Sequence, residues 1–123
     1  MDAKLKAITD AAAKVIDAYV DKHGKEVVMS RAEIFSLLDK NGVKWNSAWQ
    51  PSDHCYNLYN KGLIEFDTSP RLFEYVSRGK YILRGSHYAY TGDLIWSTRE
   101  NGKMVRKIIG RMENGVRVPE SQG

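Results

Sequence analysis

The sequence has few of the residues that stabilise secreted proteins, and it has no long apolar run. Cys55 is the only cysteine among 123 residues, so no internal disulfide can form and a reducing compartment is expected. No hydrophobic stretch approaches the roughly 20 residues that a membrane-spanning helix needs. The opening segment MDAKLKAITD alternates charged and apolar residues and lacks the apolar centre of a secretion signal. These absences predict a cytoplasmic protein without a membrane segment.

Residues suited to metal binding or covalent catalysis are also scarce. The three histidines do not have the spacing of metal ligands, and one cysteine does not make a zinc site. On a helix, the neighbours His54 and Cys55 point about 100° apart, which disfavours a Cys–His catalytic pair. Glu65 and Asp67 share one strand face but have no third partner for a nuclease metal. We therefore expect a non-enzymatic protein with neither metal nor cofactor.

What the sequence does have is a modest excess of basic residues. The formal net charge is +4 and the isoelectric point is near 9.2, which favours anionic partners. Two runs are basic without intervening acids, one from Arg78 to Arg84 and one from Lys103 to Arg111. Solvated surface lysine and arginine is the ordinary explanation of such a run, and phosphate binding is the functional one. The length suits one domain with one core.

Apolar spacing and capping signals predict three helices. The first has an apolar stripe at three- and four-residue steps. The second starts with a capping box, in which Ser30 and Glu33 each accept a hydrogen bond from the other's backbone N–H. The third starts at Pro51, which suits a first helical turn because its missing N–H would be unpaired there. The three helices cover residues 3–22, 31–40 and 51–60.

Turn signals predict strands around these helices. A short strand over residues 25–29 precedes the second helix, and RLFEYVSRGKYILRG predicts a hairpin that reverses at Arg78-Gly79. Asn114-Gly115 marks a second hairpin turn. We expect a main domain over residues 1–97, a β-hairpin extension packed on it over 98–118, and a loose tail over 119–123.

Helix, strand, helix, connection, helix and hairpin is the element order of a winged helix-turn-helix, an α+β fold of three helices with a β wing. The segments PSDHCYNLYNKG, LFEYVSRGKYILRG and YAYTG resemble a family of prokaryotic winged-helix domains. Members of that family occur alone or beside nucleases, in restriction and phage-defence settings. The resemblance spans residues 25–95 and implies DNA binding without fixing a target.

A helix over residues 51–60 with Cys55 and Leu58 inward presents polar side chains to the major groove of duplex DNA. There Asn pairs with adenine, Asp accepts from cytosine, and Tyr contacts a phosphate or a methyl group, including that of a modified base. The outward residues are Ser52, Asp53, Tyr56, Asn57 and Asn60. Since this helix has almost no positive charge, we assign most of the affinity for DNA to phosphate contacts made by residues elsewhere in the chain. The residues expected to contact phosphate are Lys44, Lys61, Arg78 and Lys80. A solvated polar face, with Asp53 only capping the helix, is the competing interpretation.

The same fold also fits a protein-binding adaptor or inhibitor related to phage or defence systems. Trp45 and Trp49, in the connection over residues 43–50, would then be exposed anchors, because aromatic residues concentrate binding energy. They fit equally well as a cover for the edge of the core. The first helix either covers its own domain or pairs two protomers. The expected partners are thus duplex DNA or a protein, with a monomer or homodimer and no membrane.

Overall fold

The computed structural model describes residues 3–59 and 70–119. In this part the α-helices are α1 over Ala3–His23 and α2 over Arg31–Lys40, and a short 3-10 helix covers Pro51–His54. No helix there is long and apolar enough to span a bilayer. The strands are β1 (Val28–Ser30), β2 (Leu58–Tyr59), β3 (Phe73–Ser77), β4 (Lys80–Leu83), β5 (Gly92–Glu100), β6 (Lys103–Glu113) and β7 (Val116–Arg117).

Helix α1 confirms the helix predicted over residues 3–22. Its buried face carries Ile8, Ala12, Ile16 and Val20 at four-residue steps, so one side of the helix packs on the core. Gly24 follows the last turn with a φ of +89° and donates its N–H to the carbonyl of Val20 at 2.8 Å. Glycine adopts this left-handed conformation without the strain that a side chain adds, and it therefore ends the helix.

Helix α2 starts with the predicted capping box. The Ser30 hydroxyl accepts from the Glu33 N–H at 3.1 Å, and the Glu33 carboxylate accepts from the Ser30 N–H at 3.0 Å. The bond from the Ser30 backbone, followed by the contact with its side chain, holds the pKa of Glu33 below its usual value. The helix over residues 31–40 is therefore confirmed, and Asn41 follows it as expected.

The first sheet has the strand order β1-β4-β3, with antiparallel neighbours. β3 and β4 form the predicted hairpin around Arg78-Gly79, where Gly79 has a φ of +72°. β1 is shorter than the strand predicted over residues 25–29 and lies nearer to α2. Phe73, Tyr81 and Leu83 are buried on the inner face of this sheet.

The second sheet has the strand order β2-β5-β6-β7, in which β2 is parallel to β5 and the other pairs are antiparallel. β5 and β6 form a long hairpin through Asn101-Gly102, and β6 and β7 reverse at Asn114-Gly115. All four of these turn residues have positive φ, as the favoured two-residue hairpin turn requires. The second turn was predicted from the sequence, whereas the first was missed.

The main core lies among the helices, the first sheet and the connection after α2. Trp49 in that connection is 1% exposed, and its Nε1 donates to Thr9 Oγ1 at 3.2 Å. The Thr9 hydroxyl donates in turn to the carbonyl of Leu5 at 2.7 Å. Other buried members of this core are Ile16, Ile34, Leu38, Leu72, Phe73 and Leu83. A smaller cluster around Leu94 and Met112 supports the second sheet.

The winged-helix prediction is wrong. The described residues form two α-helices instead of three, together with two β-sheets. The third helix, predicted over residues 51–60, is replaced by the short turn at Pro51–His54, a bridge from Cys55 to Phe73, and then β2. The backbone here bonds to distant strands and not to its own next turn, so long-range pairing outweighs the local helix signals.

Candidate functional site

Residues 54–59, here called the joint segment, connect the two sheets. On one side the N–H of Tyr56 donates to the carbonyl of Phe73 at 2.8 Å, which ties the segment to β3. On the other side the N–H of Ile95 donates to the carbonyl of Asn57 at 2.9 Å, and β2 continues the pairing with β5. The joint segment therefore fixes how the two sheets face each other.

The side chain of Asn57 reinforces this connection. Its Nδ2 donates to the carbonyl of Tyr75 at 2.9 Å, and its Oδ1 accepts from the Tyr75 N–H at 2.8 Å. Among the described strands, β3 has β4 as its only full strand neighbour, so the amide bonds to the free edge of β3 as another strand would. Asn57 is 7% exposed, and its amide is satisfied inside the protein.

A groove of about 620 Å³ opens between the two sheets, and we call it the inter-sheet groove. Its walls come from the short 3-10 helix, from β2, β3, β5 and β6, and from the turns that follow β3 and β5. The residues that line it are Ser52, Leu58, Tyr59, Tyr75, Arg78, Ser97, Arg99, Gly102, Met104 and Arg106.

Three arginines converge on the inter-sheet groove. Arg78 comes from the β3–β4 turn, Arg99 from β5 and Arg106 from β6. Ser97 is opposite Arg106, and Arg99 is opposite Met104, so these four side chains share one face of the hairpin. The described lining contains no Asp or Glu, and none of the three arginines forms an ion pair with another described residue. The charged residues of the described lining are therefore all positive.

Both tyrosines that line this groove are paired with an arginine side chain. The guanidinium carbon of Arg106 is 4.6 Å from the centre of the Tyr75 ring, and Arg106 also donates a hydrogen bond to the Tyr75 hydroxyl. Arg117 lies over the Tyr59 ring at 5.1 Å. These are cation–π contacts. They give the groove flat, stackable surfaces beside groups that bind phosphate well.

The residues predicted to contact DNA are separated in the structure. Ser52 and Arg78 line the inter-sheet groove, and Lys80 is exposed on the other arm of the Arg78 hairpin. Lys44 lies elsewhere, in the loop after α2. Asn60 and Lys61, which were also predicted, lie outside the described residues.

Three side chains predicted to face outward are buried instead. Asp53, Tyr56 and Asn57 are 8%, 3% and 7% exposed. The Tyr56 hydroxyl donates to the carbonyl of Gly85 at 2.6 Å and accepts from the Tyr88 N–H at 3.2 Å. The prediction of an outward face is therefore wrong for these three residues, because Asp53 is buried in the short 3-10 helix and the extended joint segment directs Tyr56 and Asn57 into the protein.

Burial also changes the acid–base properties of this region. Desolvation raises the pKa of Asp53 to about 6 and lowers that of His54 to about 4. The His54 ring stacks on Trp49 with 5.1 Å between centroids, and its Nδ1 lies 3.2 Å from the carbonyl oxygen of Pro70. Burial raises the pKa of the Cys55 thiol as well, which disfavours a thiolate nucleophile. Across residues 3–59 and 70–119, no three His, Cys, Asp or Glu side chains are grouped to hold a metal ion.

A second concavity of about 720 Å³ lies between α1 and the loop after α2. Trp45 at its edge is 37% exposed, packs on Phe35 at 4.1 Å between ring centroids, and donates from Nε1 to Asp39 at 2.8 Å. Trp49 belongs to the core, so only Trp45 of the two predicted anchors reaches the surface. The charged residues of this concavity have both signs, namely Lys4, Asp10, Lys14 and Lys44. It lacks the uniform charge of the inter-sheet groove.

The sequence interpretation missed Arg99 and Tyr75, and it placed Arg106 only within a basic run. For Arg99 the available signal was the Asn101-Gly102 pair, since a hairpin turn there places Arg99 on β5 beside β6. Tyr75 and Arg106 are 31 positions apart, and nothing local in either segment indicates that they meet.

Comparison with known proteins identifies a family. Residues 9–118 match the family model described as Domain of unknown function (DUF7225). Protein YnaC of Bacillus subtilis (strain 168), described as uncharacterized, is 42% identical over 66 residues, which are 54% of this chain and 23% of YnaC. The match thus covers less than a quarter of that relative's length. No solved structure gives a significant match. Because the family match takes in most of the sequence, the chain belongs to the DUF7225 family.

Proposed function

We propose that this protein is a non-enzymatic nucleic-acid-binding protein that holds the phosphate backbone in the inter-sheet groove. The observation that carries the proposal is the convergence of Arg78, Arg99 and Arg106 on one groove whose described lining has no carboxylate. The net charge of +4 acts in the same direction, because it attracts polyanions over a longer range.

Arginine suits this role because its planar guanidinium donates two parallel hydrogen bonds to one phosphate. The hydroxyls of Ser52 and Ser97 in the same lining add donors that can also reach phosphate oxygens. Lys80 and Lys103 are exposed near the ends of the hairpins that supply the arginines. They extend the positive surface beyond the groove.

The basic run over residues 103–111 divides between the two faces of β6. Arg106 lines the groove, whereas Lys107 forms an ion pair with Glu100 at 2.5 Å. Adjacent residues on a strand point to opposite faces. We therefore assign phosphate binding to Arg106 and a structural contact to Lys107.

A salt titration tests the proposal. Fluorescence anisotropy would follow the binding of short labelled single-stranded and duplex DNA between about 50 and 200 mM salt. Each phosphate contact contributes about 0.7–0.9 to the slope of log affinity against log salt. The variant Arg78→Gln, Arg99→Gln, Arg106→Gln should bind more weakly and lower that slope by about 2–3.

The matched control removes the same charge from another surface. Lys14, Lys22 and Lys40 are exposed helix residues outside the groove lining, and changing all three to Gln should leave most of the affinity intact. Absence of binding to either DNA at low salt would refute the proposal. Equal losses in the two triple variants would show that general charge, and not the groove, attracts the nucleic acid.

Protein binding through the two tryptophans has less support. Trp49 is buried in the core and bonds to Thr9, so it cannot anchor a partner while the protein is folded. Trp45 is half-exposed but already bonded to Asp39. We propose the cytoplasm as the compartment, because it supplies both nucleic acid and the reducing conditions that suit the single cysteine.

A further inference from the structure

The pairing of Arg106 with Tyr75 has features that phosphate binding alone does not require. Tyr75 is held from two sides, by the two hydrogen bonds between its backbone and the Asn57 amide and by edge contact with Tyr81 at 5.9 Å between ring centroids. Its ring therefore has a fixed position at the groove wall. A fixed aromatic face is what stacking of a nucleotide base needs.

Arg106 is the movable member of the pair. It is exposed on β6, and the contacts described for its side chain are both with Tyr75. A long arginine side chain can move away from the ring by the thickness of one base at little cost, since few contacts hold it. Its guanidinium plane can then stack on the other face of that base.

The geometry of double-stranded nucleic acid does not fit this arrangement. In a duplex the faces of the bases are covered by their neighbours, and only the edges are accessible in the grooves. A base can lie between a guanidinium and a tyrosine ring only if it is unpaired and turned out of its stack. The other two groove arginines, Arg78 and Arg99, line the same groove and would contact the flanking phosphates.

We propose that the inter-sheet groove binds single-stranded nucleic acid by inserting one unpaired base between the Arg106 guanidinium and the Tyr75 ring. This inference rests on the nucleic-acid binding proposed above and names the form of nucleic acid. It assigns Tyr75 to base stacking and Arg106 to both stacking and charge.

The test compares three probes with the same number of phosphates per strand, using the full chain. They are a short oligothymidylate, a strand of abasic sites of equal length, and a duplex that contains the oligothymidylate. Stacking of one base should make the oligothymidylate bind about 5- to 150-fold more tightly than the abasic strand. It should also bind more tightly than the duplex.

Three substitutions and one control separate stacking from charge. Tyr75→Leu should bring the ratio of oligothymidylate to abasic affinity close to one, and Tyr75→Phe should keep most of it. Arg106→Lys retains the charge, so it should lower the ratio but leave the salt slope nearly unchanged. Tyr19→Leu, a change of the same size on α1 outside the groove lining, should leave the ratio as it is.

Circular dichroism and urea midpoints would establish that each variant is folded. If Tyr75→Leu does not fold, Arg106→Lys still decides the question, because position 106 is exposed. Equal affinity for the thymidine and abasic strands, or tighter binding of the duplex, would overturn the base insertion and leave phosphate binding intact. Failure of all three probes to bind would overturn the proposed function as well.

Discussion

The side-chain amide of Asn57 forms two hydrogen bonds with the backbone of Tyr75, at 2.9 and 2.8 Å. Through its own backbone carbonyl, Asn57 is also bonded to Ile95 in the second sheet. One residue thus contacts both walls of the inter-sheet groove. We infer that Asn57 holds the groove open in one geometry. The sequence had instead predicted that Asn57 would face outward and contact a DNA base.

Asn57→Ala should therefore act on stability. It removes both partners of the Tyr75 backbone in a partly buried site, which we expect to lower the free energy of unfolding by about 2–4 kcal/mol. Urea denaturation followed by circular dichroism would measure the loss. Asn46→Ala is the control, since Asn46 is exposed and its side chain accepts a hydrogen bond from Ala48 in the same loop. A loss for Asn57→Ala no larger than that of the control would contradict the structural role.

Two neighbouring buried groups, Asp53 and His54, should make the stability of the protein depend on pH in opposite directions. Burial raises the pKa of Asp53 from its ordinary 3.8 to about 6. The contribution of Asp53 to stability is therefore complete below pH 3.8 and is lost as the pH rises through 6. Burial lowers the pKa of His54 from 6.5 to about 4. The contribution of His54 is complete above 6.5 and is lost as the pH falls through 4.

Single substitutions should expose each of these dependences. Asp53→Asn leaves only His54 of the pair, so the urea midpoint should rise steadily between about pH 4 and 6.5. His54→Gln leaves only Asp53, so the midpoint should fall between about pH 4 and 6. The unchanged protein should show a flatter profile than either variant. Parallel profiles for all three proteins would show that these two groups do not control the pH dependence.

Two glycines with similar backbone geometry should tolerate alanine differently. Gly85 and Gly102 have φ values of +85° and +78°. A Cβ at Gly102 meets nothing within 4 Å, whereas one at Gly85 would lie 2.9 Å from Asp17 Oδ1, the oxygen that accepts the Ser86 N–H.

Gly102→Ala should consequently cost about 1 kcal/mol, from backbone strain alone. Gly85→Ala should cost about 1–3 kcal/mol more, because the Asp17 carboxylate must move away from its hydrogen bonds with Ser86. Paired urea denaturation curves would measure the difference. Equal costs at the two positions would show that this contact is not important for stability.

The parts of the fold that the sequence predicts correctly are governed by neighbours in the chain. The capping box at Ser30 and Glu33, the glycine after α1 and the turn at Asn114-Gly115 each depend on residues a few positions apart. Local sequence is sufficient in such cases because the hydrogen-bond partners or the turn geometry lie within that short stretch.

The joint segment could not be predicted in this way. Pro51 and Asp53 are good residues for a helical first turn, and that single turn does form. After it, the backbone from residue 55 onwards bonds to Phe73 and Ile95, and these partners are invisible to a local pattern. Long-range strand pairing overrides local preference here.

The candidate site was predicted only in fragments for the same reason. Arg78 was identified from its hairpin tip and Arg106 from a basic run, but their common groove is created by the packing of two sheets. Charge composition indicated an anionic partner. It gave no information about where on the surface the charges meet.

The most direct test of nucleic-acid binding in the inter-sheet groove is an NMR titration of isotope-labelled protein with a short oligothymidylate. The largest amide shifts should fall around Arg78, in residues 97–99 of β5 and in residues 104–106 of β6, which supply the groove lining. Little change is expected in α1 or in residues 41–46 around the second concavity. Shifts concentrated at α1 and residues 41–46, with the groove residues unchanged, would contradict the proposed site.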